Sequence, residues 1–312
     1  MLNFKKLKMK LLITGGTGNI GSYLIEEILS KGYSVNYLTR NQSNIKKSSN
    51  LNGFFWDIDR KIIDHKCFDG VTHIIHLSGE SISKRWTKKR KKNILSSRLL
   101  TTKLLFTSLS KHRNLYKVQH IVCASAIGIY KSSYDKIYDE ESICEAKTFL
   151  QQVVIKWEKE LWNFKKLGID ITIFRIGLVL SNRGGILKAL QIPTKLNISA
   201  PIGTGKQLQS WIHEYDLSNM IMESIFNKWF GVYNAVSPNP VEQKKFIKLY
   251  AKSLNKISLT IPIPKAIIRL LFGEMSVLIF NSQYVSSKKI MDSGFIFKYP
   301  RIEEAFLNLV KD

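Results

Sequence analysis

The feature that most constrains this chain lies near its start, where Lys10-Leu11-Leu12-Ile13-Thr14 runs directly into Gly15-Gly16-Thr17-Gly18-Asn19-Ile20-Gly21. An apolar strand, a glycine-rich turn and a helix, in that order, make a mononucleotide-binding βαβ unit the leading expectation. Gly15, Gly18 and Gly21 are spaced GxxGxxG. The first suits a backbone angle closed to other residues, the second lets the chain approach a pyrophosphate, and the third lets helix and strand pack closely. A phosphate placed there meets free N–H groups and the positive end of the helix dipole. Leu24, Ile25, Ile28 and Leu29 give the helix an apolar face, Gly32 ends it, and Val35 to Thr39 read as a second strand. Gly15, Thr17, Gly18, Asn19, Ile20 and Gly21 are therefore the expected cofactor cradle.

The alternation continues through the first half. Gly53 to Trp56 and Thr72 to Leu77 read as strands, Trp86 to Leu109 as a long helix and Val118 to Ala124 as a strand. A helix from about Ala146 to Leu167 then leads to a strand over Ile169 to Ile176. Strands that are apolar throughout suit a parallel sheet covered on both faces. The expected fold is α/β, a Rossmann-type doubly wound parallel sheet with a smaller C-terminal α/β substrate lobe. Residues 1–180 are assigned to the nucleotide-binding domain, completed by about 207–235, and residues 181–312 mainly to the substrate lobe. Past Leu180, Arg183-Gly184-Gly185, Pro193, Pro201 and Gly203-Thr204-Gly205 mark loops around little helix. Helices are expected from Asp216 to Asn227, Pro240 to Leu254 and Lys265 to Phe280, with a strand at Gly231 to Ala235. A ligand crevice belongs between this lobe and the carboxyl ends of the strands.

Composition narrows the setting. The 312 residues are 44% hydrophobic, enough for one large core or two lobes. No apolar run is long enough to cross a bilayer, and Met1 to Lys10 lacks the apolar centre of a secretory signal, so a cytoplasmic protein without a membrane partner is expected. Cys67, Cys123 and Cys144 are far apart and odd in number, which supports neither a disulfide framework nor a zinc site. The formal net charge of +24 raises nucleic acid as a partner. Lysine excess is spread through the chain, however, and the run from Lys84 to Lys92 reads as the solvated start of a helix. Attraction of an anionic cofactor or substrate is the expectation, with no specific nucleic acid partner and a monomer or homodimer.

The motifs together resemble the extended short-chain dehydrogenase/reductases, and among them the NAD-dependent epimerase-like subgroup of the YfcH or SDR39U1 type. The resemblance runs through Thr14 to Gly21, Leu77-Ser78-Gly79-Glu80, Lys84-Arg85-Trp86, Ser96-Ser97-Arg98, Ser125-Ala126-Ile127-Gly128 and Trp157-Glu158. It continues through Arg175 with Gly177, Gly184-Gly185, Ser210-Trp211-Ile212-His213 with Asp216, Pro238-Asn239-Pro240, Gly273-Glu274-Met275 and Tyr299-Pro300. It implies a nucleotide-sugar-epimerase-like fold without implying a substrate.

At the end of the second strand an NAD site usually presents Asp or Glu to the ribose 2′-hydroxyl. Here the chain reads Tyr37-Leu38-Thr39-Arg40-Asn41, so Arg40 is expected to face a 2′-phosphate and NADP(H) is favoured over NAD(H). By analogy with the superfamily, Asp57 accepts from the adenine amino group, and Leu77, Ser78 and Gly79 line the middle of the cofactor. The chemistry is less regular. The superfamily order Ser…Tyr-x-x-x-Lys gives a proton donor, a cation that lowers its pKa and a hydrogen bond to the reacting oxygen. Ser125 matches the Ser, but Phe149 and Val153 stand where Tyr and Lys belong. Tyr284 to Lys288 has the right spacing and the wrong place in the order. Tyr130, His213 or a bound water remain as proton carriers, each of the two side chains having an ordinary structural role as its alternative. Glu80, Arg85, Trp86, Arg175 and Trp211 are candidate substrate contacts, with Arg175, a charge in an apolar strand, needing either an interlobe ion pair or a substrate anion. The resulting expectation is an NADP(H)-binding, epimerase-like oxidoreductase acting on a small polar metabolite, anionic ones included. The alternative is a catalytically weak dinucleotide sensor or scaffold.

Overall fold

The computed structural model describes residues 9–256, 259–260 and 262–311. Met1 to Lys8, part of the stretch read for targeting, lie outside the described residues. Three strands open the sheet: β1 (Lys10–Thr14), β2 (Ser34–Thr39) and β3 (Leu51–Asp57). The eight-stranded order is Gly231–Ala235, Asp170–Ile176, His120–Ala126, His73–His76, β1, β2, β3 and Ile62–Ile63. All neighbours are parallel except the short last strand, which runs antiparallel to β3. The chain winds outward from β1 in one direction, then crosses back to His73–His76 and winds in the other. Such reversal points are where open α/β sheets bind ligands. Register sets the site: Thr14 lies opposite Leu38 on one side and His76 on the other. Ser125 pairs with Arg175, which pairs with Asn234, placing the three side by side near the carboxyl ends of their strands.

Helix α1 (Asn19–Ser30) buries Gly21, Leu24, Ile25 and Ile28 and packs against Glu214–Phe226. Helices α2 (Lys88–Lys111) and α3 (Phe149–Leu161) pack against each other in the other layer. The main core gathers Leu11, Ile13, Ile74, Ile121 and Phe174 together with Ile212, Leu217 and Tyr233. A second cluster forms around Trp211, Phe246, Tyr250, Ile302 and Phe306. Among the described residues no helix is long and apolar enough to cross a membrane.

Local differences from expectation have local causes. Helix α2 begins at Lys88, because Thr87 takes the N-cap and accepts from the Arg90 N–H. A capping box between Thr148 and Gln151 starts α3. The stretch after Leu180 contains a helix, Gly185–Lys195, where loops were expected. Ile186, Leu187 and Leu190 pack its apolar face, and Pro193 lies close enough to the end that its missing N–H removes one late bond. The single helix expected from Lys265 to Phe280 is broken: Gly273, at φ 56°, ends Lys265–Phe272, a 3-10 turn takes Gly273–Ser276, and an α-helix resumes at Val277–Phe280.

Candidate functional site

The glycine turn is shaped for close approach. Gly15 has φ +73°, and a Cβ there would lie 2.9 Å from the Leu77 carbonyl carbon, so the turn rests on the end of the neighbouring strand. The Gly18 N–H donates to the Gly15 carbonyl at 3.0 Å. A Cβ on Gly21 would collide with that same carbonyl. Gly18 caps α1 without a side chain, and Thr17, Gly18 and Asn19 are exposed while Ile20 is half-buried, leaving the helix start open on one side. Beneath the turn Thr14 Oγ1 and His76 Nδ1 are 2.7 Å apart, and His76 Nε2 lies 3.1 Å from Thr102 Oγ1. The Ser78 N–H donates to Thr14 Oγ1 at 3.3 Å. Burial pushes His76 down to about 3, so the ring is neutral and serves as a strut joining β1, its neighbour and α2. Sequence reasoning gave His76 no such part.

Beyond the turn lies a cavity of about 290 Å³ whose lining includes Arg40, Trp56, Asp57, Glu80, Ser96 and Ser97. Arg40 directly follows β2 and is exposed. Asp57 is partly committed: its Oδ1 accepts the N–H groups of Asp59 and Arg60, each at 3.0 Å. Glu80 Oε1 sits 2.7 Å from Arg90 Nη1, which neutralises it. Gly79 is close to Arg98, whose guanidinium donates to the carbonyls of Glu80 and Ile94 and lies over Trp157. Burial lowers Arg98 to about 10.

At the other end the row Ser125, Arg175, Asn234 meets α3. Ser125 Oγ donates to Glu158 Oε1 at 2.6 Å. Arg175 donates Nε and Nη2 to the two oxygens of Glu158, both at 3.0 Å, and Nη1 to the Tyr130 hydroxyl at 3.0 Å and the Glu140 carbonyl at 3.2 Å. The Tyr130 hydroxyl in turn donates to Asn234 Oδ1 at 2.7 Å. Burial opposes the charge on Arg175, but the hydrogen bonds and charge of Glu158 outweigh it and hold the guanidinium above its ordinary value. Burial raises Tyr130 against the lowering influence of Arg175. Arg175 thus has the partner its burial demands, and the expectation of an interlobe pair or a free anion site is corrected: Glu158 belongs to the same lobe and fills the guanidinium's fork. In the sequence Glu158 stands out only as part of the Trp157-Glu158 motif. The signal that could have found it is a carboxylate on an apolar helix face of a chain with one unmatched buried arginine.

Other candidates are placed elsewhere. Phe149 opens α3 and meets Trp86 edge-on with ring centroids 5.1 Å apart, and Val153 is buried in the same cluster with Ile94, Leu150 and Met275. Trp86 is packed into that cluster, its indole N–H donating to the Ile82 carbonyl at 2.9 Å, while Arg85 is exposed beside Gly273. Trp211 is fully buried in the second-lobe core and donates to the Asn239 carbonyl at 2.8 Å. Of the two readings of His213, proton carrier in the crevice or cap of the following helix, the geometry gives the cap. Its Nδ1 accepts the Tyr215 N–H at 3.0 Å at the start of Glu214–Phe226, its ring lies 4.1 Å from that of Tyr299, and burial lowers it to about 4. Tyr284 lies in a short strand and Lys288 reaches Asp292, so the two do not share the helix face that a Tyr-x-x-x-Lys pair requires. The cysteines are free, and among the described residues no three His, Cys, Asp or Glu side chains gather as metal ligands.

Residues 11–234 match the model of the NAD dependent epimerase/dehydratase family, and residues 263–309 match a domain of unknown function, DUF1731. An epimerase family protein of Staphylococcus aureus strain N315 is 34% identical over 304 residues, covering 96% of this chain and 99% of its own. The crystal structure of the human epimerase family protein SDR39U1 (isoform 2) with NADPH superposes with a TM-score of 0.84 at 25% identity, over 97% of this chain and 100% of that one. MoeE5 in complex with UDP-glucuronic acid and NAD shares the fold, with a TM-score of 0.77 at 16% identity, over 97% of this chain and 98% of that one.

Proposed function

Because the chain belongs to the NAD dependent epimerase/dehydratase family, we propose that it binds NADP(H) across the sheet's reversal point and acts as an epimerase-like oxidoreductase on a small polar metabolite. The observation that carries the cofactor choice is the end of β2, where Arg40 lines the cavity and Tyr37-Leu38-Thr39-Arg40-Asn41 offers no carboxylate to repel a 2′-phosphate. The NADPH in the human relative's structure supports the choice. The glycine turn fits a pyrophosphate, since a Cβ on Gly15 or Gly21 would meet backbone and Gly18 leaves the helix start without a side-chain cap. Thr17, Asn19 and Ile20 flank that start, and Leu77, Ser78 and Gly79 line the middle of the groove. When bound, the cofactor supplies or takes a hydride at the nicotinamide.

Ser125 is the chain's contact to a reacting oxygen in this proposal. Its proton is directed at Glu158, so its lone pairs are what it presents, and it accepts from a substrate hydroxyl more readily than it donates to a carbonyl. The Arg175 pair holds Glu158 in place as a fixed acceptor. Tyr130 orients this network through Arg175 and Asn234. Glu80, Arg85 and the apolar wall of Trp86 and Phe149 stand between the cavity and the second lobe as specificity elements. A second reading, a dinucleotide sensor of weak catalytic power, is supported by Phe149 and Val153, which carry no proton and are held in an apolar cluster.

Titration by nicotinamide fluorescence tests the cofactor assignment. Arg40→Asp should weaken NADPH binding by roughly tenfold or more relative to NADH, since attraction becomes repulsion beside a phosphate. An unchanged preference would remove Arg40 as the phosphate reader. Stopped-flow kinetics over small aldehydes, ketones, alcohols and nucleotide sugars separates enzyme from sensor. Turnover abolished by Ser125→Ala supports the enzyme, and tight NADPH binding with no turnover on any of them supports the sensor.

A further inference from the structure

The second lobe carries a face that the nucleotide groove does not use. Of the helix Lys265–Phe272 only Ile268 is buried, while Ile267, Leu270 and Leu271 are 48%, 77% and 57% exposed. Lys265 and Arg269 are exposed among them. A second apolar group lies at the end of the helix Gly185–Lys195 and just past it: Ile192, Leu196 and Ile198 are 70%, 66% and 50% exposed, with Lys188 and Lys195 exposed in the same helix. One ribbon joins the two, since Ile198–Ser199 pairs in parallel with Leu259–Thr260 and the Gly203 N–H donates to the Ile263 carbonyl at 2.9 Å. The helix Gln243–Ser253 packs alongside and presents Lys244, Lys248 and Lys252 to the outside.

Charge selects the occupant. The chain has 24 Asp and Glu, yet the sequence stretches 171–213 and 243–273, within which the named residues of this face fall, contain none. A second copy would bring the same cations against themselves, so self-association through it is opposed. Polynucleotides are gripped by cations interleaved with aromatic stacking surfaces, whereas the protruding side chains here are aliphatic. Aliphatic side chains ringed by Lys and Arg on a short amphipathic helix match an anionic lipid surface, the apolar groups entering the headgroup boundary and the cations staying at the phosphates. We propose that this face docks on an anionic membrane surface, with the helix Lys265–Phe272 lying in the headgroup plane. Among the described residues no helix is long and apolar enough to cross a membrane, which is silent on resting against one. The same helix leads into Glu274, paired with Lys91, and Met275, packed with Trp86, so docking is tied to the wall of the proposed site.

Co-sedimentation of the full chain with vesicles of phosphatidylcholine, alone or with one-third phosphatidylglycerol, tests this. Binding is expected only to the anionic vesicles and should fall as salt is raised. Leu270→Ser with Leu271→Ser, both exposed, should weaken it roughly tenfold while near-ultraviolet circular dichroism stays native. Arg269→Glu should weaken it as well, and provides the test if the leucine pair disturbs folding. Equal binding to both vesicle types, no binding to either, or vesicle binding indifferent to both variants overturns the proposal. So does a dimer in light scattering that the leucine pair dissolves, or a polyanion such as heparin competing with the leucine variants bound as tightly as the parent.

Discussion

At the scale of single residues, the Glu158–Arg175 pair is the costliest place to interfere. Both side chains are about nine-tenths buried, and removing one partner leaves the other charge without compensation. Arg175→Met or Glu158→Gln should each destabilise the protein by about 3 to 5 kcal/mol, and the double variant should lose less than the sum of the two. Urea denaturation of the two single variants and the double variant measures this. The buried histidines make a second expectation. His76 and His213 are held down to about 3 and about 4 by burial, below an unfolded value near 6.5. The unfolded chain therefore binds protons first, so their stabilising contribution is complete above about pH 6.5 and is lost as pH falls toward 4. His213→Gln should flatten the stability profile across that window by on the order of 2 kcal/mol, read from melting at stepped pH. A single residue's need for a partner was legible in the sequence, because a charge inside an apolar strand must be compensated. The partner itself was not, since Ser125, Glu158 and Arg175 converge only once sheet register and helix packing bring distant segments together. His213 stays open between proton carrier and helix cap in the sequence because its chemistry is visible there and its burial is not.

Elements were read well where periodicity and punctuation agreed. The strands at the centre of the main sheet have apolar middles, such as Leu11-Leu12-Ile13 and Ile74-Ile75, and α1 is bounded by glycines on both sides, so both are legible from local sequence. The stretch after Leu180 failed on its punctuation: Pro193 looked like a break, whereas Leu187 and Leu190 had enough second-lobe surface to pack against to keep Gly185–Lys195 helical. Conversely, Lys265 to Phe280 looked like one helix because an apolar run conceals the positive φ at Gly273. Capping gives a test at this scale. Thr148→Ala removes one half of the capping box of α3 and should cost about 1 kcal/mol in urea unfolding. Helix α2 should respond in the opposite sense to charge. Lys88 and Lys89 are exposed in its first turn, where cations oppose the dipole, so Lys88→Glu should stabilise by roughly 0.3 to 1 kcal/mol at low salt and by less at high salt.

For the whole molecule, the two lobes share their construction. The main core takes in Ile212, Leu217, Met220 and Tyr233 alongside residues of β1 and β2, and Arg183 grips Glu26 of α1 through two bonds of 2.7 and 2.6 Å. A chain ending at residue 180 should therefore lack native near-ultraviolet circular dichroism, while the full chain should melt in one calorimetric transition. The last parallel strand, Gly231–Ala235, has a consequence in time as well as in space. It joins the sheet beside Asp170–Ile176 only after about 54 intervening residues, which pass through the second lobe and then form the helix Glu214–Phe226 packed on α1. On the ribosome, Ile173 and Phe174 leave the exit tunnel well before the strand that covers their edge. At about 5 to 20 residues per second this bare edge persists for several seconds, a window in which chaperones, or another nascent chain, can reach it first.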